Sequence, residues 1–506
     1  MGSDEIKKIK PIYYYKDMTN KVNTIQGQID NLHEDVKLNF FINNCQLNSK
    51  YNFSVFNNNN KQLLTTGPTS PKNHNELIFD NSLILTFFFE REQKLLIEFY
   101  INNVKYIINV TLGEIAGSRR NTFVYKFENL KETLSIQLDK LEETKTFLNF
   151  DFDIKPNNPL NFKEPKNKIF YLISNKNKLY SSEALTDFGT FGISTIPSNL
   201  FKPNFNLQFY DCKKKVIGDI TSTIEEFLNN KEISIKLSKS RTLFLTNKSF
   251  LSEKYTFIDY LKSGVRLGLS IGIDFTFSNG DPIEQDSLHR IGNDYMNDYE
   301  KAIYSCGTII AYYDYDQLFP VYGFGAVINN SNEKEANMCF PINFNYNNPS
   351  IYTISSILDV YHQCLNYITF SGPTFFSPII KDTINKIKIQ NDKLEYHILM
   401  ILTDGIINDM NETIDALVEG SFLPLSVVII GIGNSNFGNM EQLDADDNPL
   451  ISSKGVKRMR DLVQFVPFSK FQHDAQKLSE EVLEEIPRQI TEYYSLNHLF
   501  PSNIQQ

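Results

Sequence analysis

Four continuous apolar runs dominate the second half of this chain: VRLGLSIGID from Val265, YGFGAVI from Tyr322, YHILMILTDG from Tyr396 and LSVVIIGIG from Leu425. A strand that is apolar at nearly every position has both faces covered, as in parallel sheets with helices packed on either side. Segments of helical period separate and follow these runs, around 298–312, 351–368, 378–389, 410–419, 456–465 and 474–494. The alternation predicts an α/β doubly wound (Rossmann-like) domain over residues 245–495, with its ligands at the carboxyl ends of the strands.

Before Leu245 the pattern differs. Short stretches such as VKLNFFI, YNFSVF, LILTFFF, KLLIEFYI and KYIINVTL fall within residues 34–130, and LSIQL, FLNFDFDI, KIFYLIS, FNLQFYD and VIGDI within 131–235. Strands of this length, parted by Asn- and Pro-rich connections, predict two successive all-β sandwiches built on one repeated module. Residues 1–33 read as a flexible polar arm and 496–506 as a C-terminal tail. A chain of 506 residues exceeds what one core usually supports, in keeping with a multidomain reading.

A net charge of −10 excludes a protein that neutralises many nucleic-acid phosphates. The five cysteines, Cys45, Cys212, Cys306, Cys339 and Cys364, are scattered and show no zinc-type spacing, so they read as reduced thiols of a cytoplasmic protein. No apolar run reaches the length of a bilayer span.

The chemistry sits where the first apolar strand ends, in DFTFSNG at residues 274–280. Asp274, Thr276 and Ser278 place three oxygen-bearing side chains at alternate positions, able to converge on one point. ILTDG supplies Asp404 after a second such strand, and GPTFFSP supplies Thr374 in a loop leading into a helix. Carboxylates and hydroxyls are hard ligands that suit Mg2+ or Mn2+ rather than zinc. A shared cation would also relieve the cost of two carboxylates emerging from apolar strands.

DFTFSNG, GPTFFSP and LTDG resemble, in order and spacing, the metal-ion-dependent adhesion site of von Willebrand factor A domains. HRIGNDYMNDYEKAI, YDYDQLFPVYGFGA, SGPTFFSPII, ILTDGIINDM, RDLVQFVPF and VLEEIPRQITEYY are similar to copines over residues 245–495. The resemblance implies two C2-type sandwiches followed by an A domain whose metal is held by Asp274, Thr276, Ser278, Thr374 and Asp404, Thr276 standing where integrin-type domains commonly have Ser. It further implies a non-enzymatic adaptor for intracellular proteins that binds phospholipid in response to calcium, located in the cytoplasm and peripherally at the plasma membrane or endomembranes.

The C2 loops depart from that pattern. Residues 36–79 contain no Asp, Glu164-Pro165 stands where Asp-Pro is expected, and Asp211 alone precedes Lys213, Lys214 and Lys215. One acid beside three lysines is a poor cage for Ca2+, which takes six to eight oxygens. Asp211 is thus the one residual calcium candidate, and Lys213, Lys214 and Lys215 are candidate contacts to anionic lipid, against the plainer reading of a solvated hairpin tip. Two alternatives stay open at this point: an Mg2+-dependent hydrolase or phosphatase, although no nucleophile or general base is evident, and a protein-binding scaffold independent of lipid. GIGNSN at 431–436 lacks the third glycine of a dinucleotide loop, and no P-loop is present.

Overall fold

Side chains that alternate between buried and half-exposed along His33–Asn43 and Lys94–Ile101 mark sheets with one face on a core. In this computed structural model the described residues are 33–504, less 73–74, 142–144, 151, 157–169, 176, 183–193, 202, 211–215, 238–240, 293–294, 330–334, 445–448 and 472–473. Asp211, Lys213, Lys214, Lys215 and Glu164-Pro165 therefore lie outside the described residues. Two compact units form, one taking in 143–255 and the other 32–142 together with 256–506.

The first sandwich pairs His33–Asn43 antiparallel with Glu76–Ile78, Leu83–Phe88 and Thr133–Lys140, the last also pairing with Thr122–Lys126. Its second sheet runs Gln62–Thr65, Tyr51–Asn57, Lys94–Ile101, Val104–Thr111. Phe40, Phe53, Phe79 and Phe99 fill the space between, with Phe40 and Phe53 centroids 4.4 Å apart. The boundary expected at residue 130 is corrected here: Thr133–Lys140 belongs to the first sandwich, because eight of its residues pair with His33–Asn43. The unit at 143–255 is likewise all antiparallel, with sheets such as Asn177–Ser181, Phe170–Asn175, Phe205–Tyr210, Val216–Ser222 around Phe150, Phe201, Phe205 and Phe227. It also takes in Arg241–Asn247 and Phe250–Lys254, so the α/β domain begins beyond the expected residue 245, near the helix Phe257–Lys262.

The α/β domain is doubly wound as expected. Leu318–Phe324, Arg266–Asp274, Glu395–Thr403, Leu425–Gly431 and Val463–Pro467 lie side by side in that order, all parallel. Numbered along the chain this is 2-1-3-4-5, and the order reverses between Arg266–Asp274 and Glu395–Thr403. Ligands bind at such a switch point, outside the carboxyl ends of the strands. One correction concerns 456–465: in place of a helix, Val463–Pro467 forms the outer parallel strand. Arg460 explains the extended approach, since its guanidinium donates to the carbonyl oxygens of Leu423 and Leu425, at 2.8 and 2.5 Å. The helix expected over 474–494 is two, Ala475–Leu483 and Ile486–Leu496, the second starting with Pro487 in its first turn.

The first sandwich and the α/β domain meet in a polar and aromatic seam. Phe89 packs edge-on to Phe257 at 5.1 Å and against Tyr313 at 4.9 Å. Around it lie ion pairs Lys140–Asp259 at 2.7 Å, Lys262–Asp139 at 2.6 Å and Arg91–Glu480 at 3.0 Å. Gly117 is required there, because a Cβ at that position would stand 2.0 Å from the carbonyl oxygen of Tyr312. Glu34 reaches across to accept from the Ile258 amide at 3.3 Å, at the start of the Phe257–Lys262 helix.

Burial pushes the Glu34 carboxyl up to about 7 from an ordinary value of 4.5. The folded chain therefore holds this proton over a pH range in which the unfolded chain has lost it. Glu34 contributes stability below pH 4.5 that disappears as pH rises through about 7. Relative to Glu34→Gln, the wild-type chain is expected to lose up to about 3 kcal/mol of unfolding free energy between pH 5 and 7.5. Paired urea titrations at several pH values check this; a difference independent of pH would show that the carboxyl is not held protonated at the seam.

Candidate functional site

Asp274 is the last residue of its strand and Asp404 directly follows the neighbouring one, so the parallel register, with Ile273 opposite Leu402, delivers both to one end of the sheet. Beyond Asp274 the chain turns through a short 3-10 segment, Phe277–Asn279, which brings Thr276 and Ser278 back over the strand end. The Thr276 hydroxyl donates to Asp274 Oδ1 at 2.6 Å and lies 3.1 Å from Ser278 Oγ. Ser278 donates in turn to Asp404 Oδ1 at 2.9 Å, and Thr374 Oγ1 stands 3.5 Å from Thr276 Oγ1. All five residues singled out in the sequence thus converge.

Thr374 is brought in by its own supports. Its amide donates to Asn408 Oδ1 at 2.9 Å, while the Asp409 carboxylate accepts from the amides of Phe376 and Ser377 at 3.0 and 2.9 Å. Asp409 thereby satisfies amides at the start of the helix Ser377–Gln390 and ties the Thr374 loop to the loop that follows Asp404.

Further residues complete the site that the sequence pattern did not single out. The Thr403 hydroxyl donates to Asp274 Oδ2 at 2.5 Å. Asn279 uses both amide hydrogens, on Asp404 Oδ1 at 3.0 Å and the Thr276 carbonyl at 3.2 Å, and accepts from the Tyr299 hydroxyl at 2.6 Å. His289, buried at 0% exposure, donates from Nε2 to the Asp274 carbonyl oxygen at 2.8 Å and accepts at Nδ1 from the Tyr361 hydroxyl at 2.7 Å. Burial pushes its imidazole down to about 3, so it stays neutral. Asn279 and Thr403 each adjoin a ligand and could have been read from DFTFSNG and LTDG. His289 and Tyr299 carry no such signal.

The electrostatics favour a cation. Burial, and then the charge of Asp404, push Asp274 up to about 7, and burial raises Asp404 as well. Two facing carboxylates in a closed site repel one another unless a positive charge lies between them. Gly405 leaves room for one: a Cβ there would lie 3.2 Å from Thr374 Oγ1, 3.7 Å from Ser278 Oγ and 3.8 Å from Asp274 Oδ2. Two carboxylates and three hydroxyls around a small gap fit a hard divalent ion with room for water or an outside oxygen. Among the described residues no group of three or more His, Cys, Asp or Glu side chains offers a softer alternative.

Oxygen-bearing side chains gather at the switch point of this parallel sheet, in keeping with the A-type domain expected from the sequence. The family model described as Copine matches residues 287–502, so the chain carries a copine-type domain there. Solved structures give partial likenesses. The tandem C2 domains of extended-synaptotagmin 2 align with 48% of this chain and all of that one, at 10% identity and a TM-score of 0.18. Manganese-loaded TRAP protein of Plasmodium vivax aligns with 45% of this chain and 74% of that one, at 12% identity and 0.28. Proximal thread matrix protein 1 of mussel byssus, with a zinc-occupied MIDAS motif, aligns with 43% and 47%, at 16% identity and 0.26.

Asn279 holds Asp404 in place without needing to touch a cation. Asn279→Ala is expected to weaken Mn2+ binding about 10- to 100-fold, the range for partners that orient metal ligands, whereas Asp274→Ala abolishes it. Titration calorimetry of the full chain reads both. An unaltered affinity in Asn279→Ala would remove Asn279 from the site.

Proposed function

We propose that this chain is a membrane-associated adaptor and not an enzyme. Its A domain binds intracellular protein partners through a divalent cation, Mg2+ or Mn2+, held by Asp274, Thr276, Ser278, Thr374 and Asp404. The observation that carries this reading is the convergence of those five oxygen-bearing side chains, with two buried carboxylates among them, at the open end of the sheet. A cation there keeps a coordination position for an acidic side chain from outside. The chain's own residues set the geometry: Thr403 and Asn279 fix the carboxylates, and His289 pins the backbone of Asp274.

A hydrolytic role draws no support from the neighbouring side chains. His289 has both ring nitrogens engaged in a buried site, and Asn279 and Thr403, which hold the two carboxylates, are an amide and a hydroxyl. For the sandwiches, the copine-type domain that follows them supports phospholipid contact in general, and calcium is expected to act weakly. In the first sandwich, the loops about residues 49 and 102 are joined by amide and hydroxyl groups. Asn102 donates to Ser49 Oγ at 2.9 Å and accepts from the Lys50 amide at 2.8 Å, where a calcium site would need carboxylates.

Sedimentation with phosphatidylserine vesicles, with and without Ca2+, separates these roles. The expected outcome is binding that Ca2+ changes less than about twofold and that Asp274→Ala leaves intact. Strong stimulation by Ca2+ would overturn the reading of the sandwich loops, and Mg2+-dependent turnover of a phosphate ester abolished by Asp274→Ala would overturn the adaptor.

A further inference from the structure

The rim of the cation site is apolar and exposed. Phe277, between the ligands Thr276 and Ser278, is 78% exposed, Ile283 is 89% exposed, and Ile406, two residues after Asp404, is 53% exposed. The fold itself gives Phe277 no partner in the core: its neighbour Phe275 is fully buried, and its backbone is held by donation to the Ser371 carbonyl at 2.7 Å. Ile283 stands on a loop whose two ends are both fastened to the ligand turn. The Ser287 hydroxyl donates to the Gly280 carbonyl at 3.0 Å and the Leu288 amide to the Asn279 carbonyl at 2.9 Å. Large apolar side chains held in water on segments that adjoin a binding site mark a surface that is covered in use.

Charge narrows what covers it. The same loop exposes Asp281, Glu284 and Asp286, and the segments 274–287, 371–377, 404–410 and 431–437 contain no lysine or arginine. An anionic bilayer would meet these carboxylates with nothing to attract it outside the cation. A protein segment carrying only an acidic residue would be repelled by them as well, unless it brought positive charge of its own.

We infer that the carboxyl edge of the A domain recognises a three-part element on a partner protein. One Asp or Glu meets the cation, a bulky apolar residue beside it covers Phe277, Ile283 and Ile406, and at least one Lys or Arg faces Asp281, Glu284 and Asp286. This rests on the cation-dependent reading above and adds the composition of the ligand to it.

The test uses the full chain in Mn2+ to select displayed random peptides, eluted with EDTA. Enriched sequences are expected to place an acidic residue next to Leu, Ile, Met, Phe or Trp, with Lys or Arg nearby. With one such synthetic peptide, the Phe277→Ser, Ile283→Ser double variant is expected to weaken binding about tenfold or more. The triple variant Asp281→Asn, Glu284→Gln, Asp286→Asn should weaken it severalfold and flatten its salt dependence, while Mn2+ binding by calorimetry stays unchanged in both. The inference is overturned by an enriched set lacking the apolar or basic member, by no enrichment although Mn2+ binds, by undiminished binding to the double variant, or by phosphatidylserine vesicles binding through Phe277. Absence of Mn2+ binding to the unaltered chain would instead defeat the cation reading, and this inference with it.

Discussion

The A domain is organised around one electrostatic constraint: two carboxylates, Asp274 and Asp404, are almost wholly buried at adjacent strand ends. The parallel pairing of Arg266–Asp274 with Glu395–Thr403 fixes their proximity. A pair of like charges removed from water is tolerable only with hydrogen bonds and a compensating charge. The surroundings supply the first through Thr276, Thr403, Ser278 and Asn279, and shape a gap for the second beside Gly405. The Thr374 loop, its tether through Asp409 and the aromatic backing of His289 by Tyr299, stacked at 4.1 Å, follow from holding those acids in place.

Much of this was legible from residues alone. Strands apolar on both faces can only sit in a covered parallel sheet, so Arg266–Asp274, Glu395–Thr403 and Leu425–Gly431 declared the α/β domain. The five converging residues were legible because DFTFSNG, GPTFFSP and LTDG border separate elements of one sheet, whereas the Asp-x-Thr-x-Ser alternation alone also suits helix caps and turns. The supporting residues were not: His289 and Tyr299 come from a loop and a helix whose approach to the site is set by tertiary packing.

Two misreadings share a cause. Residues 456–465 have apolar side chains at 456, 459, 462, 463 and 465, the first four at a helical spacing, yet Val456 and Met459 are exposed while Leu462, Val463 and Phe465 are buried. The anchoring of Arg460 on two distant carbonyls overrides the period. Likewise Thr133–Lys140 reads as a strand, but which sandwich it joins depends on a partner strand far earlier in the chain, His33–Asn43. Local pattern identifies an element more readily than its neighbour.

The seam between the first sandwich and the A domain belongs to the same logic of buried charge, since burial raises the Glu34 carboxyl against a helix start while Lys140 and Lys262 engage Asp259 and Asp139. The A domain itself stands or falls on the cation, and anomalous scattering from crystals of the full chain soaked in Mn2+ locates it. One strong peak is expected, enclosed by Asp274, Thr276, Ser278, Thr374 and Asp404; no peak there, or occupancy only at other carboxylates, would show that the five residues do not hold a cation.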